Sequence, residues 1–312
     1  MHNMSMFRNT LLAAAIAALV APAFAAEWIS DFDAAKAQAA KDGKAILADF
    51  TGSDWCGWCI RLRQSVLDTP EFEAYAKDKF VLAEIDVPHA PKLSPEQLEK
   101  NKQLCMQYKV EAFPTLLVMD AQGRVMGGFA GGRTTLQEVQ APLNKGLENL
   151  QLSKLAATQQ GAAKLETLVK IYKNMPKDLR KQSSDMRDEI LALDPENSSG
   201  MRDIFAAEQQ QERFAAELMT AQTEAQAIAM LERMKNEALP ANKSGVLVQL
   251  FQLKMESANT VEDLMAAKAL LLEAAEYAPA KRKASMQKAA AQQFANPELL
   301  LQKIKTFRGQ GQ

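Results

Sequence analysis

Every run that reads as a β-strand lies within the first 130 residues of this 312-residue chain. "KAILADFTG" and "FVLAEIDV" are short apolar runs bounded by turn or polar residues, the pattern of strands buried in a sheet. "FPTLLVMDAQGRVMGGF" reads as a hairpin, two apolar strands joined by a turn over Asp120 to Gly123. Beyond about residue 150 such runs vanish. Ala, Gln, Leu, Glu and Met dominate there, punctuated by prolines at 176, 195, 240, 279 and 297. "AAKLETLVKIYKN", "DLRKQSSDMRDEILAL", "SGVLVQLFQLKM" and "VEDLMAAKALLLEAAEY" carry the spacing of amphipathic helices. The chain therefore divides into an α/β domain over residues 26–150 and an all-α domain over 151–312. No 34-residue repeat consensus occurs in the second, which reads as a bundle or an irregular helical-hairpin array.

Helix signals separate the early strands. Ser30 can cap a helix over 30–42, and Asp42-Gly43 ends it. "IRLRQSVL" has helical spacing, and Thr69-Pro70-Glu71 is a second start, with proline where its missing N–H costs nothing. Ser94-Pro95-Glu96-Gln97 repeats that signal, Gln97 closing a capping box on a helix running towards Tyr108. Thr134 caps the last helix before residue 150. The resulting order, α-β-α-β-α-β-β-α, is that of a central mixed sheet flanked by helices. The glycines at 127, 128, 131 and 132 read as turns at a strand end, because no Lys-Ser/Thr follows to make a phosphate loop.

Residues 1–25 differ from the rest. Arg8 precedes the apolar run "LLAAAIAALVAPAFA", which closes on Ala23-Phe24-Ala25, the layout of a secretory signal cleaved after Ala25. The run is short for a span of ~20 residues and is broken by Pro22, so no membrane span is expected once the signal is removed. The mature protein is expected to be periplasmic or secreted. A formal net charge of −1 gives no basis for nucleic-acid or membrane-surface binding.

Only three cysteines are present, too few for the disulfide framework of a small secreted domain. Cys56 and Cys59 stand three apart in "DWCGWC", after a strand and at a helix start. Free N–H groups and partial positive charge at a helix N-terminus lower a thiol pKa from about 8.5 into the range of ~3.5–7.5. Cys56 is placed to be such a thiolate, and Cys59, one turn in, to resolve a mixed disulfide. Two blander readings compete. Cys56, Cys59, Cys105 and His89 count to a Cys3His zinc set, yet zinc has no need of the distant Phe113-Pro114-Thr115 segment. A purely structural disulfide closing so small a loop constrains the unfolded chain little. Cys105 reads as a buried small hydrophobe and His89 as a loop histidine. Trp55 and Trp58 flank the nucleophile and read as an apolar rim for substrate, with Gly57 between the cysteines.

With "ILADFTGSDWCGWC" and "YKVEAFPTLLV" taken together, residues 27–148 resemble the thioredoxin superfamily, in particular secreted bacterial members carrying "DFTGSDWCGWC". The resemblance implies a thioredoxin-like fold and thiol–disulfide oxidoreductase activity on protein disulfides. It makes Cys56 the attacking thiolate and Cys59 the resolving thiol. Pro114 becomes the cis-proline facing them, Phe113 the residue whose backbone pairs with a substrate strand, and Thr115 its neighbour in that segment. Asp49 matches the buried acid beneath the resolving cysteine, with its pKa raised by burial. There are departures: one extra residue separates Asp49 from Cys56, and Glu84 falls near the family's usual strand lysine. Gly57-Trp58 replaces the usual middle dipeptide, and the absence of histidine there leans towards the reducing or exchange side. No metal or organic cofactor is implied. The expected partners are protein disulfide substrates and an unidentified redox partner. Rival readings are a disulfide isomerase or chaperone, and a non-catalytic binding or scaffold protein using the helical domain. That domain's apolar stripes are core, a partner groove or the face of a homo-oligomer.

Overall fold

The computed structural model describes residues 27–309. The signal expected over residues 1–25 lies outside them. The described residues form two compact units that meet in sequence between Met186 and Arg187.

In the first unit, β1 (Trp28–Ile29), β2 (Ala45–Thr51), β3 (Phe80–Asp86), β4 (Thr115–Met119) and β5 (Val125–Ala130) form one sheet in the order β1-β3-β2-β4-β5. β3 runs parallel to both β1 and β2, and the β4–β5 hairpin adds antiparallel to β2. The helices are α1 (Phe32–Asp42), α2 (Gly57–Leu62), α3 (Pro70–Ala76), α4 (Pro95–Gln107), α5 (Leu136–Ala156) and α6 (Gly161–Asn174). A π turn, Arg63–Leu67, continues α2, and a 3-10 helix, Lys177–Gln182, follows α6. α7 (Ser184–Leu193) straddles the boundary between the units.

All seven residues of β2 are buried, because apolar layers cover both faces of the sheet. The strand period of two sorts them. Ala45 and Leu47 join Leu62, Val66, Phe72, Val139 and Leu143 on the face covered by α2, α3 and α5. Ile46, Ala48 and Phe50 join Phe32, Ala35 and Tyr108 on the face covered by α1 and the end of α4. The same alternation in β3 puts Phe80 and Leu82 on the first face and Val81, Ala83 and Ile85 on the second. Asp49 and Glu84 therefore both face α2, and they are direct partners in the β2–β3 register.

Several local expectations shift by a residue. Asp31, not Ser30, caps α1, its Oδ1 accepting from the amides of Asp33 and Ala34. Thr135, not Thr134, caps α5, because only Thr135 has an acid at the third helical position, Glu138, to complete a capping box. Ser94 does cap α4, but the Gln97 side chain donates to Ser30 and Asn101 rather than closing a box. Two helices, α2 and α3, lie between β2 and β3, matching the helical spacing after the cysteines and the second start at Thr69, which the order α-β-α-β-α-β-β-α counts as one helix. β1 is too short to carry a periodic signal. Gly127 and Gly128 are strand residues, not turns. A Cβ on Gly127 would stand 2.9 Å from Gly146 Cα, so the pair lets α5 lie directly on β5.

The sheet-bearing unit continues past residue 150, which falls inside α5. Met175 and Leu179 are fully buried in the cluster on the α1 face. Asn149 donates to Met126 O (2.8 Å) and accepts from Asn174 (3.1 Å), tying α6 to the sheet through α5.

The second unit contains α8 (Met201–Leu218), α9 (Glu224–Glu237), α10 (Pro240–Ser257), α11 (Val261–Glu276), α12 (Ala280–Gln293) and α13 (Pro297–Gly309). Among the described residues no strand occurs after Ala130. "DLRKQSSDMRDEILAL", read as one helix, is a 3-10 turn followed by α7. α8, α9 and α12 were not singled out by pattern. Three apolar clusters run along the unit. Phe214, Leu231, Met234, Val246 and Leu250 join α8, α9 and α10. Leu247, Leu271, Ala274, Met286 and Ala290 join α10, α11 and α12. Met255, Leu264, Ala267 and Phe294 bring in Leu300, Leu301 and Ile304 of α13. Among the described residues no helix is long and apolar enough to cross a membrane.

Candidate active site

β2 delivers the chain to a short loop that hydrogen bonds clip in place. Asp86, at the end of β3, accepts from Ser53 N (2.8 Å) and Ser53 Oγ (2.6 Å). Asp54 accepts from the amides of His89 (3.0 Å) and Ala90 (2.7 Å). Trp55 Nε1 donates to Val87 O (2.8 Å), and the indole packs so close that a Cβ on Gly52 would lie 2.4 Å from it. Cys56 N donates to Gly52 O (3.0 Å), and Cys56 becomes the N-cap of α2.

Cys56 and Cys59 form a disulfide with an S–S distance of 2.06 Å. Both are buried, and the amide of Cys59 donates to Cys56 Sγ (3.1 Å). A helix-start N–H thus already points at the sulfur expected to carry negative charge on reduction. Gly57 is exposed, and a Cβ there would meet nothing within 4 Å.

The Phe113–Pro114 bond is cis. Thr115 pairs with Phe50, so the segment lies at the end of β2 from which the cysteine loop departs. Pro114 O accepts from Gly131 N (2.8 Å), and buried Thr115 Oγ1 donates to Ala112 O (2.8 Å). Phe113 meets the Trp55 ring edge-on at 5.5 Å, while His89 stacks on Trp55 at 4.9 Å. Trp55 remains 41% exposed and Trp58 53%. Trp58 lies against Gly132, where a Cβ would approach within 2.3 Å, and the Arg61 guanidinium sits 4.8 Å from its ring centre. The structure thus joins Trp55 to Phe113 and Trp58 to Gly132, aromatic groups on the residues flanking each cysteine.

Asp49 is only 2% exposed. Burial pushes its carboxyl up to about 7; Arg63 opposes that rise, and the negative charges of Glu84 and Asp86 add to it. Asp49 Oδ2 accepts from Arg63 Nη2 (3.1 Å), while Oδ1 has no hydrogen-bond partner. The same Nη2 donates to Glu84 Oε1 at 2.5 Å. Sequence reasoning set Glu84 where the family has lysine and left the matching cation unassigned. Arg63 follows Cys59 by four residues, one helical turn on the same face, but its pairing with two strand acids emerges only in the fold.

Cys105 is half-buried on α4, against the opposite face of the sheet, and burial raises its thiol to about 11. Among the described residues no group of three or more His, Cys, Asp and Glu is arranged to hold a metal ion.

Residues 27–121 match the protein-family model described as thioredoxin-like. Over 107 residues the chain is 38% identical to the disulfide bond reductase DsbH of Chlamydia pneumoniae, a match covering 33% of this chain and 64% of that protein. It is 29% identical over 98 residues to the thioredoxin-related protein DsbJ of the same organism, covering 31% of this chain and 28% of the relative. The chain therefore spans less than two thirds of either relative. A solved structure of a DsbH oxidoreductase aligns with 46% of this chain and 95% of its own, at 29% identity and a TM-score of 0.36.

Proposed function

Because this chain carries a thioredoxin-like domain over residues 27–121, we propose that it is an exported thiol–disulfide oxidoreductase that reduces or exchanges disulfides in protein substrates. The observation that carries this reading is the Cys56–Cys59 disulfide at a helix start, with the Cys59 amide directed at Cys56 Sγ. Similarity to a protein named a disulfide bond reductase supports the reductive direction.

In the reduced protein, Cys56 Sγ attacks one sulfur of a substrate disulfide. A mixed disulfide forms and the substrate's other sulfur leaves as a thiolate, which takes a proton. Asp49, ionised, accepts the proton of Cys59, whose thiolate then attacks Cys56 Sγ. The Cys56–Cys59 bond closes, the second substrate thiol departs, and two electrons have passed to the substrate. A dithiol partner restores the reduced state. Trp55, Trp58 and Phe113 offer apolar contact for an extended substrate segment, and the backbone at Phe113 offers strand pairing. The electrons pass through the two sulfurs, and Asp49 handles only the proton. Export rests on the apolar leader before residue 26.

The test is insulin disulfide reduction by the purified mature protein, with C56S as control. Turnover far above the control is expected, and equal rates would sink the assignment.

A further inference from the structure

The cysteine turn and the end of β5 meet at Trp58. This residue stands between the two cysteines in the chain, and its side chain is exposed. Its ring lies on Gly132, where a Cβ would fall 2.3 Å from it. The neighbouring Gly131 N donates to Pro114 O, so a continuous run of contacts joins the cis-proline segment to the cysteine turn. Arg61 is exposed and follows Trp58 by three residues, the spacing of helical neighbours. Its guanidinium carbon sits 4.8 Å from the ring centre, within the reach of a cation–π contact. Arg133 adds a second cation beside Gly132, donating from Nη1 to Gly132 O (3.0 Å).

These cations have no carboxylate of their own. Among the described residues no ion pair joins Arg61 or Arg133 to an acid. The charge of Arg133 reaches Glu138, but that carboxylate is engaged in the capping box of α5. Before Cys56, Asp54 is taken up by the amides of His89 and Ala90, and Trp55 makes only aromatic contacts with Phe113 and His89 beyond its bond to Val87. A guanidinium over an aromatic ring keeps in-plane N–H groups available, the fork that takes a carboxylate in two parallel bonds.

We propose that Arg61 is a specificity-determining residue: held on Trp58 beside the reactive disulfide, it makes the site prefer substrate disulfides flanked by a Glu or Asp side chain. This rests on the thiol–disulfide reading above and adds to it a class of substrate. The apolar contacts of Trp55 and Phe113 accept many segments, whereas a cation without a partner discriminates among them, since charge complementarity governs partner choice more than raw affinity. Because Arg61 is exposed, the preference is modest and is screened by salt.

The experiment follows the reduction of three synthetic peptides that share one intramolecular disulfide and differ only in a flanking Glu, Gln or Lys. The proteins are purified mature wild type, R61Q and R61E. A charge beside a cysteine also alters the peptide's own reactivity. The readout is therefore the Glu-to-Gln and Lys-to-Gln ratio of kcat/KM, compared between proteins, in which that contribution cancels. The Glu-to-Gln ratio should fall about threefold from wild type to R61Q and further in R61E, while the Lys-to-Gln ratio rises in the same order. Added salt should bring the wild-type ratios towards those of R61Q. Ratios that are the same in all three proteins overturn the proposal, even if every rate falls, because a merely structural loss slows the three peptides alike. Wild-type ratios that ignore salt overturn it as well. A wild type inactive on all three peptides and on insulin overturns the oxidoreductase reading and this preference with it. An active wild type whose ratios do not move in the variants overturns the preference alone.

Discussion

Asp49 fixes the sign of one pH effect. Its ordinary value is 3.8 and burial carries it to about 7. Between those limits the unfolded chain has released a proton that the folded chain keeps. Stability therefore falls as pH rises from about 4 to about 7 and levels off above, the reverse of a salt-bridged aspartate. Asp49→Asn removes this contribution, so D49N should gain roughly 2–4 kcal/mol over wild type at pH 8 relative to pH 4, at about 1.4 kcal/mol per unit. Urea melts at several pH values measure the difference, and parallel pH dependences would refute the assignment. Asp49 itself was legible only through the family resemblance, which sets a buried acid on the strand before the cysteines. Arg63 was not, since its partners lie 14 and 21 residues away and only the fold shows that β3 sits beside β2. The caps failed for a smaller reason. Ser30 and Asp31, or Thr134 and Thr135, are equally able to accept an amide, and the choice falls to whichever neighbour finds a second partner.

Elements were more legible than their junctions. β2 and β3 declared themselves through short, mostly apolar runs, and Thr69 and Ser94 through capping chemistry that the structure contains. β1 and the π turn gave no pattern, one because it is two residues long, the other because its sequence is compatible with an ordinary helix. The close seat of α5 on the sheet depends on glycine. A Cβ on Gly146 would stand 2.7 Å from Val118 Cβ, and both are backbone-anchored atoms with little room to give. Gly146→Ala should therefore destabilise the first unit by about 1–3 kcal/mol despite its better helix propensity, as overpacking does. Thermal melts would show it, and an unchanged or raised melting temperature would mean that α5 can lift away freely.

At the scale of the whole chain, composition announced two parts, while packing decided how far the first extends. The loss of strand signals near residue 150 marks where the sheet has ended, whereas Met175 and Leu179 still lie beneath it. Periodicity shows that a segment is helical but not which surface it covers, so α6 and the 3-10 turn were grouped with the later helices. A fragment of residues 27–186 should accordingly be more stable than one of 27–150. The longer fragment keeps the burial of these two apolar side chains, about 3–6 kcal/mol at about 1.5–3 kcal/mol each. Comparative denaturation of the two fragments tests this, and equal midpoints would place the true edge at α5. In the second unit, α10 contributes Leu250, Leu247 and Met255 to three successive clusters. It acts as a keystone: the array has no seam in its middle along which half could open while the other half stays shut, and early fraying is confined to its outermost helices.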